Sequence, residues 1–282
     1  MTETRVVAPD DAPAALGNSA SAPRRVARAA RSLVHVLEGI ATTTFVFPRA
    51  TPGRRRALIQ RWSVRLLRIL RVQCRVHGSL EPDGGNLLIV ANHVSWLDIV
   101  VLNAVCPVRF VAKAELARWP LAGRLARGAG TLFIERARRR DTHRVNRTVT
   151  EALAGGDVVA IFPEGTTSDG ASVLPFKSSL LQAVVDAGGQ VQPLALCYRT
   201  PDGARSTAPA YVGDDTFVAS FWRVCGAAAL NVDLVPLARV PAAGRHRRAV
   251  ADDAEAAIRQ ALDRPASGSE LGRPGDPRAG SR

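Results

Sequence analysis

Two side chains of complementary chemistry stand five positions apart in NHVSWLD, residues 92–98: His93 and Asp98. An imidazole whose Nδ1–H is held by a carboxylate keeps one tautomer and presents Nε2 as a base. A short apolar run, residues 87–91, precedes the pair, and a helical pattern follows it to about residue 105. His93 therefore precedes or opens a helix, with Asp98 about one turn further along. Helical side chains lean toward the N-terminus, so Asp98 can reach back to the ring. Such a pair suits removal of a proton from an alcohol as the oxygen attacks an acyl carbon. An alcohol's own pKa is far too high for it to attack a thioester unaided. An isolated HxxxxD also arises when a histidine caps a helix beside an incidental aspartate, so the motif needs corroboration.

Corroboration comes from four further stretches. In FPEGTTS, residues 162–168, a strand runs into a sharp turn at Gly165. Its backbone N–H groups and the hydroxyls of Thr166, Thr167 and Ser168 suit a phosphate. Glu164 suits polyol hydroxyls or the orientation of an arginine; otherwise it is one half of a structural ion pair. GTLFIER, residues 130–136, brings Arg136, a forked and permanently charged group that matches phosphate geometry. Arg138, Arg139 and Arg140 read as a solvated basic edge. VAKAEL carries Lys113, and PFKSSL carries Lys177 at the start of a helix. These are the chain's only lysines, and each serves as readily as a surface charge.

The elements that must gather these groups are legible as apolar runs. Residues 87–91, 108–112, 131–134, 158–162 and 191–197 are short and continuous, with helical patterns between them. The clearest helix is 142–154; a weaker strand (229–236) and a final helix (about 247–262) close the series. Strands alternating with helices imply an α/β fold whose mostly parallel sheet is flanked by helices. Such a sheet binds ligands at the carboxyl ends of its strands. After successive runs come His93, Lys113, Glu135-Arg136, Glu164-Gly165 and Tyr198-Arg199, so the fold itself should bring them together.

In this order, NHVSWLD, GTLFIER, FPEGTTS and VQPLAL resemble the four sequence blocks of the glycerolipid acyltransferase family, which includes 1-acylglycerol-3-phosphate acyltransferases. The resemblance spans roughly residues 75–240. It implies His93 as base and Asp98 as its orienting partner. It further implies Arg136, Glu164 and Gly165, with Thr166, Thr167, Lys113 and Lys177, around the acceptor's polar head. The implied donor is acyl-CoA or acyl carrier protein, with neither metal nor cofactor. The implied acceptor is a lysophospholipid, first 1-acyl-sn-glycerol-3-phosphate to give phosphatidic acid. Members acting on that acceptor often carry Arg after FPEGT, where Thr167 stands here. The TTSDG…VLPFKSSL run is closer to relatives that acylate lyso-ornithine lipids, which is the alternative.

Composition narrows the partners. The formal net charge is +13 over 282 residues, nearly all of it from arginine. It favours an anionic membrane surface or an acidic carrier protein. Only 5% of residues are aromatic and no zinc-finger spacing occurs, which argues against nucleic acid. Cys74, Cys106, Cys197 and Cys225 are widely spaced and read as reduced thiols. No GxSxG elbow points to a hydrolase. A non-catalytic membrane-binding protein would be marked by loss of His93 or Asp98, and both are present.

Residues 1–31 and 264–282 read as disordered tails, 32–74 as membrane-associating helices and 75–263 as the catalytic domain. Residues 54–72 pattern as a basic amphipathic helix, with Leu58, Ile59, Trp62, Leu66, Ile69 and Leu70 on one face, expected to lie flat on lipid. The apolar stretch 33–47 is too short to span a bilayer. Peripheral or monotopic attachment, at the cytoplasmic face of the inner membrane, is therefore expected, and no cleavable leader is evident.

Overall fold

The computed structural model describes residues 4–7, 19–80, 86–134 and 139–263. In chain order the elements are β1 (Thr4–Val7), α1 (Ala22–Ala41), α2 (Pro52–Leu70), β2 (Val72–His77), β3 (Leu87–Ala91) and α3 (Leu97–Val105). There follow β4 (Arg109–Lys113), α4 (Ala122–Gly128), β5 (Leu132–Ile134), α5 (Arg139–Ala154), β6 (Val159–Ile161) and α6 (Gln182–Asp186). The last are β7 (Gln190–Arg199), α7 (Phe217–Gly226), β8 (Leu230–Pro236), β9 (Val240–Pro241) and α8 (Arg247–Asp263). The sheet runs β1-β2-β8-β7-β3-β6-β4-β5, with β9 against the start of β7. From β7 to β5 every pairing is parallel, while β8 runs antiparallel to β7. The expected mostly parallel α/β sheet is present.

The unbroken apolar run of β3 has a direct explanation. Ile89 and Ala91 face one core, packed under α2, α3 and α7 with Leu67, Leu70, Leu97 and Leu102. Leu88 and Val90 face the other, with Leu153, Val184 and Ile258 of α5, α6 and α8. A strand buried on both faces has no polar positions to alternate. β3 lies at the centre, between β6 and β7, so its carboxyl end opens at the middle of the sheet.

Three features differ from expectation. The tail drawn to residue 31 is shorter, because α1 starts at Ala22, with Pro23 in its first turn. Pro at that position is pre-set for a helix, and Ala and Arg are strong helix formers. Arg28 then ties α1 to the end of α7 by donating to the carbonyls of Cys225, Ala227 and Ala228. Within the same stretch, β1 pairs with β2 and covers what would be an open sheet edge. The tail beyond residue 263 lies outside the described residues.

The third difference is α2. Its apolar face does not lie open for lipid: Leu66, Leu67, Ile69 and Leu70 are buried in the core against α3. The outward apolar face belongs to α1, which is inverted. Ser32, His35 and Gly39 are its buried residues, while Val26, Leu33, Val34 and Leu37 are each more than half exposed. Gly39 is required by the close approach of α2, since a Cβ there would sit 2.6 Å from Trp62 Nε1. Trp62 stacks on His35 and donates to its carbonyl at 2.9 Å.

Candidate active site

β3 delivers the chain to the middle of the sheet and stops at Asn92. The Asn92 side chain clasps β7: Nδ2 donates to Leu196 O (2.9 Å), and Oδ1 accepts Leu196 N–H (2.8 Å). The backbone then turns before α3 begins at Leu97. Asp98 lies in the first turn of that helix, 0% exposed. Its Oδ2 accepts three donors: His93 Nδ1 at 2.8 Å, Val94 N–H at 2.8 Å and Ser95 N–H at 2.9 Å. The loop between the pair thus folds over the carboxylate. Asp98 satisfies the exposed amides of the helix start while it holds the ring.

His93 is gripped on every other side. Its ring stacks on Phe162, centroids 3.9 Å apart and planes 9° from parallel. Its N–H donates to Glu164 Oε1 at 2.7 Å, and its carbonyl accepts Ser168 N–H at 2.8 Å. The imidazole keeps 19% of its surface open, and among the described residues Nε2 has no hydrogen-bond partner. With Nδ1–H donated to a carboxylate, that nitrogen carries the basic lone pair.

The 162–168 loop is folded to serve this grip. Gly165 has φ of 72°, which a side chain would strain, and it turns the chain so that Glu164 points inward. Glu164 is 2% exposed, and its other oxygen accepts Leu174 N–H at 2.9 Å. Burial pushes its carboxyl pKa up, against the pull of the two backbone bonds. Both Glu164 oxygens accept main-chain N–H groups, one of them that of His93, so this carboxylate, expected at an acceptor's head group, also braces the base. The Thr167 hydroxyl donates to the Tyr211 carbonyl. Ser168 is buried, and its hydroxyl donates to the His93 carbonyl.

Thr166, Lys113 and Lys177 are exposed. Lys177 N–H donates to Pro163 O at 2.9 Å, tying its segment to the 162–168 loop. Lys113 pairs in register with Ile134, at the carboxyl edge of the sheet. Arg136 lies outside the described residues. The sequence placed Tyr198 at a strand end but gave no role to it, to Asn92 or to Phe162. Tyr198 donates to Asp98 Oδ1 at 2.7 Å from β7. Its signal was a polar-tipped aromatic at the end of an apolar strand, a group that needs a partner when buried.

A basic nitrogen stands in a half-open position, its ring locked by a carboxylate. That arrangement can deprotonate an alcohol. Comparison with known proteins agrees with this chemistry. An acyltransferase family model matches residues 73–197. A lyso-ornithine lipid O-acyltransferase of Pseudomonas aeruginosa is 38% identical over 246 residues, covering 85% of this chain and 93% of its own. A 1-acyl-sn-glycerol-3-phosphate acyltransferase of Neisseria gonorrhoeae is 42% identical over 181 residues, covering 64% of this chain and 69% of its own. In fold, the crystal structure of the 1-acyl-sn-glycerophosphate acyltransferase PlsC from Thermotoga maritima superposes with a TM-score of 0.57 at 24% identity. It covers 84% of this chain and 98% of its own.

Proposed function

The chain belongs to the acyltransferase family, and on that premise we propose that it moves a fatty acyl group from a thioester to the free hydroxyl of a lysolipid. The observation that carries this reading is the His93 Nδ1–Asp98 Oδ2 contact of 2.8 Å, with Nε2 unpartnered among the described residues. In the reaction, the acceptor hydroxyl lies against Nε2. Its oxygen attacks the thioester carbonyl while Nε2 takes its proton. The C–O bond forms, the C–S bond breaks, and the proton passes from the imidazolium to the leaving thiolate. Asp98 balances the charge on the ring and keeps it in place. Acyl-CoA or acyl carrier protein serves as donor, and no covalent acyl-enzyme forms.

The acceptor in this reading is 1-acylglycerol-3-phosphate, with Thr166, Lys113, Lys177 and Arg136 around its phosphate. A second acceptor, lyso-ornithine lipid, is favoured by the identity to the Pseudomonas enzyme along 93% of that enzyme's length. A competition between the two lysolipids decides between them.

Attachment to the membrane is peripheral in this reading, through the inverted face of α1. Among the described residues no helix is long and apolar enough to cross a membrane. Exposed Val26, Leu33, Val34 and Leu37, with Phe45 beyond the helix end, suit the acyl–headgroup boundary, and Arg24 and Arg31 suit lipid phosphates.

The test of the reaction is His93→Ala, expected to lower kcat by about 10²–10⁴-fold with the fold intact. Asp98→Asn is expected to be severe as well, through the tautomer. A near wild-type kcat in purified His93→Ala protein would refute the reading.

A further inference from the structure

The Asp98 carboxylate is loaded unevenly. Oδ2 takes the three donors of the 93–95 turn, whereas among the described residues Oδ1 takes one, the hydroxyl of Tyr198 at 2.7 Å. With no donor at Oδ1, rotation about the Cβ–Cγ bond would let both oxygens share the turn's amides, and the His93 contact would lose its fixed direction. We propose that Tyr198 is a positioning residue of the catalytic pair, holding the carboxylate so that Oδ2 stays aimed at His93.

Three features carry this. First, the ring cannot drift. Tyr198 is 3% exposed, its register is set by pairing with Val232 of β8, and its carbonyl accepts Ser206 N–H at 2.9 Å. Second, the strand it stands on is tied to the residue before the base, because Asn92 clasps both backbone groups of Leu196. The distance from Tyr198 to the pair is thus governed by the same contact that ends β3. Third, the hydroxyl has no packing role that a phenylalanine would not fill. A buried phenol oxygen needs a partner, and the partner here is the carboxylate. Burial, then the neighbouring Asp98, pushes the phenol's pKa well above its ordinary value, so it remains a donor wherever the enzyme works. The titratable groups facing this cluster are His93 from the turn, Glu164 from the 162–168 loop and the Cys74 thiol from β2.

The inference rests on the acyl-transfer reading for its kinetic arm only. Tyr198→Phe keeps the ring and removes one hydrogen bond to a charged acceptor. We expect kcat to fall about tenfold, with both KM values unchanged. A carboxylate with one donor fewer holds a protonated imidazole more tightly. The acidic limb of the kcat/KM pH profile should therefore move up by about half to one pH unit. A tyrosine that merely fills space would leave that limb where it is.

A second arm needs neither turnover nor the phenylalanine variant. The chain has two tyrosines, so fluorotyrosine introduced in a Tyr211→Phe background labels position 198 alone. Its fluorine NMR signal should show a titration step between about pH 5 and 8 that is absent in His93→Ala protein. An unmoved limb with near wild-type kcat in Tyr198→Phe, or a fluorine signal indifferent to His93, overturns the proposal. Should the wild-type enzyme acylate no lysolipid while the fluorine signal still follows His93, the acyl-transfer reading fails and the positioning role stands.

Discussion

Replacing Glu164 by Gln separates a brace from a ligand contact. Two partly buried main-chain N–H groups, of His93 and Leu174, now share one carboxylate at 2.7 and 2.9 Å. A glutamine has one acceptor oxygen, so one N–H must meet an NH2 group. A buried donor left without a partner costs about 1–3 kcal/mol, and the surviving bond, no longer to a charged group, weakens by about 1 kcal/mol. Against this, the neutral amide escapes the cost of burying an ion, the same cost that raises the Glu164 pKa. The balance is a loss of about 2 kcal/mol, which for a chain of this size lowers Tm by about 4–8 °C. Because the lost bond anchors His93, kcat should fall about tenfold while the acceptor KM changes less than about twofold. The assay is thermal unfolding together with initial rates, each substrate varied in turn. A tenfold rise in acceptor KM with Tm unchanged would refute the reasoning and return Glu164 to the head group. A pH signature goes with it. The folded protein holds this proton more tightly than the unfolded chain, so stability from this group declines as pH rises from the ordinary carboxyl range through the raised value. The glutamine variant should lack that slope.

Further outcomes follow from the same geometry. Charge placed on the outer face of α1, Leu33→Glu with Leu37→Glu, should weaken binding to anionic vesicles at least about tenfold without lowering Tm, because neither side chain is in the core. Strong salt should release the wild type only in part, since insertion is not screened; complete release would make the attachment purely electrostatic. Thr167→Val should cost about 0.5–1.5 kcal/mol for the lost bond to Tyr211 O and leave the ratio of lysophosphatidate to lyso-ornithine lipid turnover unchanged; a changed ratio would place that side chain at the acceptor. Burial pushes the Cys74 thiol up to about 12 and those of Cys106 and Cys225 up to about 11. Alkylating reagents near pH 8 should spare all three until the protein unfolds, and mass spectrometry after exposure to donor alone should find no acyl adduct.

What the sequence determined by itself was whatever local spacing dictates. Short continuous apolar runs between turn and helix signals suit strands of a covered sheet, so the parallel sheet and the residues at its strand ends could be read directly. The pair at positions 93 and 98 was legible because four intervening residues suffice to fold a turn over a carboxylate. What only the tertiary structure decided was direction. α2 is amphipathic by period, but period cannot say whether its apolar stripe meets lipid or core, and packing against α3 chose the core. The start of α1 was read as a tail because residues 22–31 are rich in Ala and Arg without an apolar period, and its exposed apolar face makes sense only once α7 and α2 occupy its other side. Glu164 and Thr167 have the chemistry of ligand-binding groups; which way each points depends on the main-chain donors and carbonyls that the fold brings beside them. Tyr198 stands 100 residues from Asp98 in sequence, and no local pattern can register a contact made only when β7 pairs with β3.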